Sequence, residues 1–267
     1  MHRKLEELVR LLALEPLEVN LFRGHHPAGT RRRLFGGQIM AQALMSAGRT
    51  VDGRAPHSLH GYFLRPGDPA IPVVFKVERV RDGHSFSTRR VVAVQRGRAI
   101  FSMDASFQLH EDGLEHQTTM PWSDPPADAD LPPELLDDAF IAYREGYGAT
   151  RSRTPQPPRK RVWFRTNGRV GNDELLHAAL LTYQSDDDLL STARLANQGR
   201  FDRRRMQGAS LDHAMWFHRN VRVDEWLLYD LDSPSSAEAR GFNRGQIYSL
   251  DGRLVASAMQ EGLMRLR

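Results

Sequence analysis

The sequence predicts an α+β protein of two tandem units, each a long helix followed by antiparallel hairpins, and three observations carry that expectation. Gly36-Gly37 leads into QIMAQALMSAG, where Ile39, Met40, Ala43, Leu44 and Ala47 recur at helical spacing. Strand-like runs follow in HSLHGYFLRPGD, IPVVFKVERVRDG and SFSTRRVVAVQRGRAIFSMDASFQL, and a similar series follows DDDLLSTARLA in the second half. Finally, RRVVAVQRGRAIFSMDASFQL and RGFNRGQIYSLDGRLVASAMQEGL agree in strand length, turn position and apolar alternation, the mark of an internal duplication.

Each element has its own signal. The stretch MHRKLEELVRLLALEPLE reads as a charged amphipathic helix. The Gly36–Gly48 segment is apolar over most of its girth and so predicts a buried helix that Gly48 can close. Arg96-Gly97-Arg98 and Asp251-Gly252 mark hairpin turns, because glycine tolerates positive φ at little cost. Ser185 suits an N-cap, which would put Asp186 in the first turn of the second unit's helix. Residues 113–160, with PWSDPPADADLPPELLDD and RSRTPQPPRK, read as a Pro/Asp-rich linker between an N-terminal domain, 1–112, and a C-terminal domain, 161–267. A long helix wrapped by an antiparallel sheet, twice over, is a double hotdog plan.

Composition narrows the function. The 267 residues are 40% hydrophobic, enough for a sizeable core, and no apolar run is long enough to span a membrane. No secretory leader pattern is present, which predicts a cytoplasmic protein. The absence of cysteine excludes disulfides, thiolate catalysis and cysteine-ligated zinc. The net charge of +4 is too mild to call for nucleic acid. Lysine stands only at Lys4, Lys76 and Lys160, so the cations are almost all arginine, which suits recognition of phosphates.

Several motifs are set aside. Gly208-Ala209-Ser210-Leu211-Asp212 lacks the closing glycine of a nucleophile elbow. There is no phosphate-binding glycine loop. His25, His26, His57 and His60 lack a carboxylate cluster or HExxH spacing, and Asp186-Asp187-Asp188 fits an acidic helix start better than a cation site, so no metal or other cofactor is expected.

Three polar positions interrupt the apolar pattern of the second unit: Asp186, Ser210 and Gln260. A glutamine near the end of a buried strand costs free energy unless it has partners. The motifs around them, YQSDDDLL, SLDHAMWFHR, EWLLYDLDSPSSAEARGFNRG and VASAMQEGLMR, closely resemble those of the acyl-CoA thioesterase II (TesB-like) family. In the first unit RLFGGQIMAQAL, HSLHGYFLRPGD and RDGHSFSTRR resemble the same family. The resemblance covers nearly the whole chain outside the linker. It implies a double hotdog fold and hydrolysis of fatty acyl-CoA by activated water, with Asp186, Ser210 and Gln260 as the catalytic set and a homodimer or larger assembly.

On that reading Asp186 polarises a water, Ser210 and Gln260 hold it, and backbone N–H groups at a helix N-terminus meet the oxyanion. Gly36-Gly37-Gln38 stands where the second unit has Ser-Asp, so the first unit is read as a binding half. Gly37, His60, Arg31, Arg32 and Arg33 are its candidate substrate-binding residues, with Arg203, Arg204 and Arg205 as further cations for CoA phosphates. Phe35, Ile39, Met40, Leu44, Phe63 and Met215 are candidates to line the acyl tunnel. Two alternatives are weighed. A hotdog hydratase or dehydratase would want a histidine at the start of a hotdog helix, which neither unit has. A non-catalytic acyl-CoA-binding protein would not need all three polar positions filled.

Overall fold

The structure is a computed structural model and describes residues 1–26, 33–145 and 154–267, without the side chain of Arg203. Its framework among the described residues is one antiparallel sheet of thirteen strands. An N-terminal helix α1 (Arg3–Leu12) leads into β1 (Glu15–Glu18) and β2 (Leu21–Gly24). The first unit continues through α2 (Gly36–Gly48), β3 (Ala55–Phe63), β4 (Val73–Asp82), β5 (Phe86–Gln95) and β6 (Arg98–Gln108). The connection to the second unit carries β7 (Phe140–Arg144). The second unit runs through β8 (Arg159–Thr166), α3 (Glu174–Ala193), β9 (Met206–Ser210), β10 (Asp212–Phe217), β11 (Leu227–Ala237), β12 (Arg240–Ser249) and β13 (Leu254–Leu266).

The duplication expected from the hairpins extends to the topology. The first unit orders its strands β2-β4-β5-β6-β3 and the second β8-β11-β12-β13-β10, the same arrangement of first, third, fourth, fifth and second strand. The two halves join where β3 pairs antiparallel with β10, with Leu59 opposite Met215. The helices lie side by side and antiparallel, so Gly36 abuts Asp186 and Gly48 abuts Leu175. Alternate strand residues pack beneath them: Leu59, Phe75, Val91, Met103, Phe107, Leu231, Ile247 and Ala256 are all buried in one continuous core. Every α2 residue from Gly37 to Gly48 is buried, as expected for a helix apolar all round. Leu5, Leu8 and Leu12 lay the apolar stripe of α1 on the same core.

Three expectations need correction. The second unit's helix is much longer than DDDLLSTARLA. It begins at Glu174, capped by Asp173, whose side chain accepts the Leu176 N–H at 3.1 Å. Ser185 is therefore not an N-cap, and Asp186 lies deep in the helix rather than in its first turn. Gly48 does not adopt a left-handed closing conformation. A Cβ there would lie 2.5 Å from Leu175, so this glycine serves close helix packing. Within the expected linker, 113–160, the run Phe140–Arg144 pairs with β8 as an edge strand, and Met120 joins a small cluster with Trp163, Leu228, Tyr248 and Leu254.

The hairpin turns test one expectation quantitatively. Arg96 (φ 48°) and Gly97 (φ 73°) form the two-residue β5–β6 turn, with glycine in the second position. The β11–β12 turn has the same left-handed pair, Glu238 (φ 48°) and Ala239 (φ 58°), without glycine. Left-handed backbone costs a Cβ-bearing residue about 1–2 kcal/mol, partly offset by the greater unfolded-state freedom of glycine. Ala239→Gly is expected to raise the free energy of unfolding in urea by about 0.5–1 kcal/mol; a decrease would contradict the turn assignment.

Candidate active site at the junction of the two units

Asp186, Ser210 and Gln260 come together where the start of α2 meets the middle of α3. Gln260, on β13, is about 1% exposed and donates from Nε2 to Asp186 Oδ1 at 2.5 Å. Ser210 Oγ donates to the same oxygen at 3.4 Å. The other carboxylate oxygen, Oδ2, accepts the Gly37 N–H at 2.9 Å. Gly37 is in the first turn of α2, where backbone N–H groups have no intrahelical partner and the helix dipole favours negative charge. Thus the helix N-terminus at this site belongs to the first unit, not to the carboxylate's own helix.

Local backbone geometry explains how Ser210 reaches Asp186. β9 and β10 both pair with β13, Ser210 opposite Gly262 and Ala214 opposite Met259. Between them the Leu211 N–H donates to Glu261 O at 2.9 Å, and the Asp212 carboxylate accepts the Glu261 N–H at 2.6 Å. This irregularity breaks strict alternation, so Ser210 and His213, three residues apart, both serve the cluster around Asp186 and Gln260.

His213 is a member of this cluster that the sequence analysis missed. It is about 1% exposed, and its Nδ1 lies 3.1 Å from Gln260 Nε2. Its Nε2 lies 3.0 Å from Ser185 Oγ, which in turn donates to Thr182 O at 3.0 Å. An amide nitrogen can only donate, so Nδ1 accepts and the proton resides on Nε2. Burial pushes the imidazole pKa down to about 4, against the opposing pull of Asp186, so the ring is neutral at neutral pH. Tyr229 adds a buried contact, its OH donating to Ser185 O at 3.1 Å. Gln260 Oε1 is buried and accepts no hydrogen bond from the described residues.

The remaining candidates are placed differently. His60 does not belong to the site. Leu59 and Met215 point under the helices, so His60 and Trp216 face the other side of the sheet, where their rings meet edge to face at 5.0 Å. Arg31 and Arg32 lie outside the described residues, and Arg33 is exposed just before α2. Arg204 and Arg205 are exposed ahead of β9, with the Arg205 Nε–H directed at Arg267 O. Phe35 and Phe63 are half-buried beside the junction. Phe35 meets Tyr183 edge-on at 5.0 Å, and Phe63 lies against the position a Cβ on Gly36 would take. Ile39, Met40, Leu44 and Met215 are core residues.

The asymmetry between the units follows from the same register. Counted from the first residue of each helix, Asp186 matches Gly48, not the Gly36-Gly37 pair, which instead faces it across the junction. Because Ala105 pairs with Leu59 and Ala258 with Met215, Gln260 corresponds to Phe107 and His213 to His57. A register irregularity next to His57 directs its ring to Ser106 Oγ, at 2.8 Å, and to Phe86. The first unit therefore has a glycine, a phenylalanine and a reoriented histidine at the three matching places.

Beside Asp186, Asp188 is buried and bound by Lys160 Nζ at 2.7 Å and by Arg144 Nε at 3.0 Å. Burial opposes its charge, but the two cations outweigh it and hold the carboxyl below its ordinary range. A depressed carboxyl pKa adds stability at neutral pH that is lost as pH falls through the folded-state value. Lys160→Met is expected to cost about 3 kcal/mol in urea unfolding at pH 7, by leaving a poorly compensated buried charge. That cost should shrink in acid as Asp188 is protonated; a pH-independent cost would argue against the ion pair as its cause.

A carboxylate held by a glutamine, a hydroxyl and a helix N-terminus thus lies at the junction of the two helix-in-sheet units of a double hotdog fold. Comparison with known proteins agrees. Residues 24–108 match the family model described as acyl-CoA thioesterase N-terminal domain, and residues 150–263 match that described as acyl-CoA thioesterase. Acyl-coenzyme A thioesterase 8 of Mus musculus is 40% identical over 96% of this chain and 88% of its own length. The crystal structure of acyl-CoA thioesterase II TesB2 from Mycobacterium marinum superposes with a TM-score of 0.86 at 46% identity, covering 97% of this chain and 98% of that one. A conserved protein with a hot dog fold from Alicyclobacillus acidocaldarius shares the fold alone, with a TM-score of 0.77 at 18% identity over 98% of each chain. The chain belongs to the acyl-CoA thioesterase family, and its reaction is hydrolysis of the acyl-CoA thioester.

Proposed function

We propose that this hydrolysis takes place at Asp186, with Ser210 and Gln260 holding the attacking water. The observation that carries the reading is the convergence of Gly37 N–H, Ser210 Oγ and Gln260 Nε2 on one carboxylate, beside the free acceptor Gln260 Oε1. A water at Asp186 gives up its proton to the carboxylate as its oxygen attacks the thioester carbonyl. Gln260 suits this task because its amide offers both a donor, spent on Asp186, and an acceptor for the water. Backbone N–H groups at the start of α2 meet the oxyanion. Collapse of the tetrahedral intermediate breaks the C–S bond, and the departing thiolate recovers the proton from Asp186, leaving free acid and CoA. Positioning and proton transfer together are worth about 10³–10⁵ in rate.

Phe35 and Phe63 at the junction are the proposed start of the acyl path, and Arg33 with the neighbouring Arg31 and Arg32 the proposed partners of the CoA phosphates. No described helix is long and apolar enough to cross a membrane. The proposal includes a cytoplasmic location, no role for nucleic acid, and a homodimer or larger assembly, since β1 and β7 are the end strands of the sheet among the described residues. It also includes the division into an N-terminal hotdog unit and a C-terminal one that carries the reacting residues.

Thiol release from acyl-CoAs of increasing chain length, acetyl to palmitoyl, tests the reading and gives the length preference. Gln260→Ala is expected to lower kcat about 10²-fold and Ser210→Ala about 10-fold, both with little change in KM. Loss of acyl-CoA binding with kcat unchanged would contradict the water-holding role.

A further inference from the structure

His213 touches neither the carboxylate face offered to the water nor any group assigned to substrate, yet it is locked into the cluster at both ring nitrogens. Both hydrogens of Gln260 Nε2 are committed, one to Asp186 Oδ1 at 2.5 Å and one to His213 Nδ1 at 3.1 Å. With two acceptors on the same side, the amide cannot rotate by half a turn, since that would set Oε1 against the Asp186 oxygen and against the Nδ1 lone pair. The ring is fixed in turn by donating to Ser185 Oγ at 3.0 Å, one residue before Asp186 on the same helix. We propose that His213 is a positioning residue that fixes the orientation of the Gln260 amide, so that Oε1 faces the attacking water.

The chain of donors has a single consistent direction. Gln260 Nε2–H points to Nδ1, Nε2–H of the imidazole points to Ser185 Oγ, and the serine hydroxyl points to Thr182 O. Reversing the amide link alone would set two buried acceptors against each other, and reversing the serine link alone two buried donors, at a cost of about 1–3 kcal/mol. Asp186 alone selects the NH₂ end of the amide, but a single hydrogen bond leaves the amide free to swing about it, and the second bond to Nδ1 fixes its angle. The groups facing the ring are Asp186, whose Oδ1 is 3.9 Å from Nδ1, together with Gln260 and Ser185. Burial keeps the imidazole neutral, which preserves Nδ1 as an acceptor.

This inference rests on the water-holding role proposed for Gln260, and two substitutions separate its parts. In His213→Asn the Oδ1 atom takes roughly the place of Nδ1 and can still accept from Gln260, while the bond to Ser185 is lost. In His213→Gln the amide NH₂ takes roughly the place of Nε2–H and keeps the bond to Ser185, while the acceptor for Gln260 is lost. With acyl-CoA as substrate, His213→Gln is expected to lower kcat about 30-fold at unchanged KM, and His213→Asn to stay within about threefold of wild type. In a Gln260→Ala background the same His213→Gln change should cost less than about twofold, because there is no amide left to orient. Thermal unfolding of all the variants establishes that they fold.

Full activity in His213→Gln, a larger loss in His213→Asn than in His213→Gln, or an undiminished loss in the Gln260→Ala background would each overturn the assignment and leave His213 as packing. Full activity in Gln260→Ala alone would instead remove the role of Gln260, a different result from any of these.

Discussion

Asp186→Asn should reduce kcat for acyl-CoA hydrolysis at least about 10³-fold while leaving the protein folded, a loss of about 4 kcal/mol in transition-state stabilisation. The size of the effect follows from the two sides of this carboxylate. Oδ2 accepts the Gly37 N–H, and Oδ1 accepts from Gln260 and Ser210, so both oxygens are acceptors at once. An asparagine has a single acceptor oxygen. Whichever way its amide turns, an NH₂ group faces either the start of α2 or Gln260. The substitution therefore removes the proposed base and misaligns one of the groups that surround it. Thiol release measured beside thermal unfolding separates the two contributions. Turnover at the wild-type rate in a folded Asp186→Asn protein would remove Asp186 from the mechanism.

The second large effect is expected at a residue with no side chain. A Cβ on Gly37 would lie 2.3 Å from Tyr183 O and 2.7 Å from the Phe35 ring. The carbonyl belongs to the α3 backbone and cannot swing aside as a flexible side chain would. Gly37→Ala must push the start of α2 away from α3, which lengthens the Gly37 N–H bond to Asp186 and opens the junction. A displacement near 1 Å is worth about 10² in rate, and the overpacking about 1–3 kcal/mol in stability. Gly113→Ala is the control, because nothing lies within 4 Å of a Cβ at that position and its φ is not positive. A Gly37→Ala enzyme with normal kcat and normal melting would show that the two helices do not need this close approach.

How much of this was legible in the sequence differs from element to element. The repeat of hairpins was readable because β-strand alternation is local, and each hairpin carries both of its strands in one short stretch. Asp186, Ser210 and Gln260 were visible as polar residues where the pattern wanted apolar ones. Their meeting point was not. Asp186 looked like a helix start because Ser185 and three consecutive acidic residues imitate one, whereas the true cap, Asp173, lies a full twelve residues before Ser185. The contact between Gly37 and Asp186 spans 149 residues and depends on the antiparallel packing of two helices, which no local pattern records. His213 was hidden for a different reason. In LDHAMWF it reads as one more polar residue in an alternating strand, and only the irregularity at Leu211–Asp212 brings it and Ser210 to the same cluster. His60 shows the converse. Its motif was right, but strand alternation next to Leu59 turns it outward.

The pairing of two unequal units on one chain has a consequence for how such an enzyme can change. Two identical subunits related by a twofold axis would have to accept every substitution twice, once at the reacting carboxylate and once at the surface that faces it. Here Gly37 and Asp186 sit in different halves of a single polypeptide, so a mutation in the surroundings of one leaves its counterpart untouched. Gly48 and Phe107 occupy the matching places in the first half. On the proposed reading, the half without the carboxylate is thus open to drift in shape away from the start of α2, and with it the width and length of the acyl path, while Asp186, Ser210 and Gln260 in the other half stay unchanged.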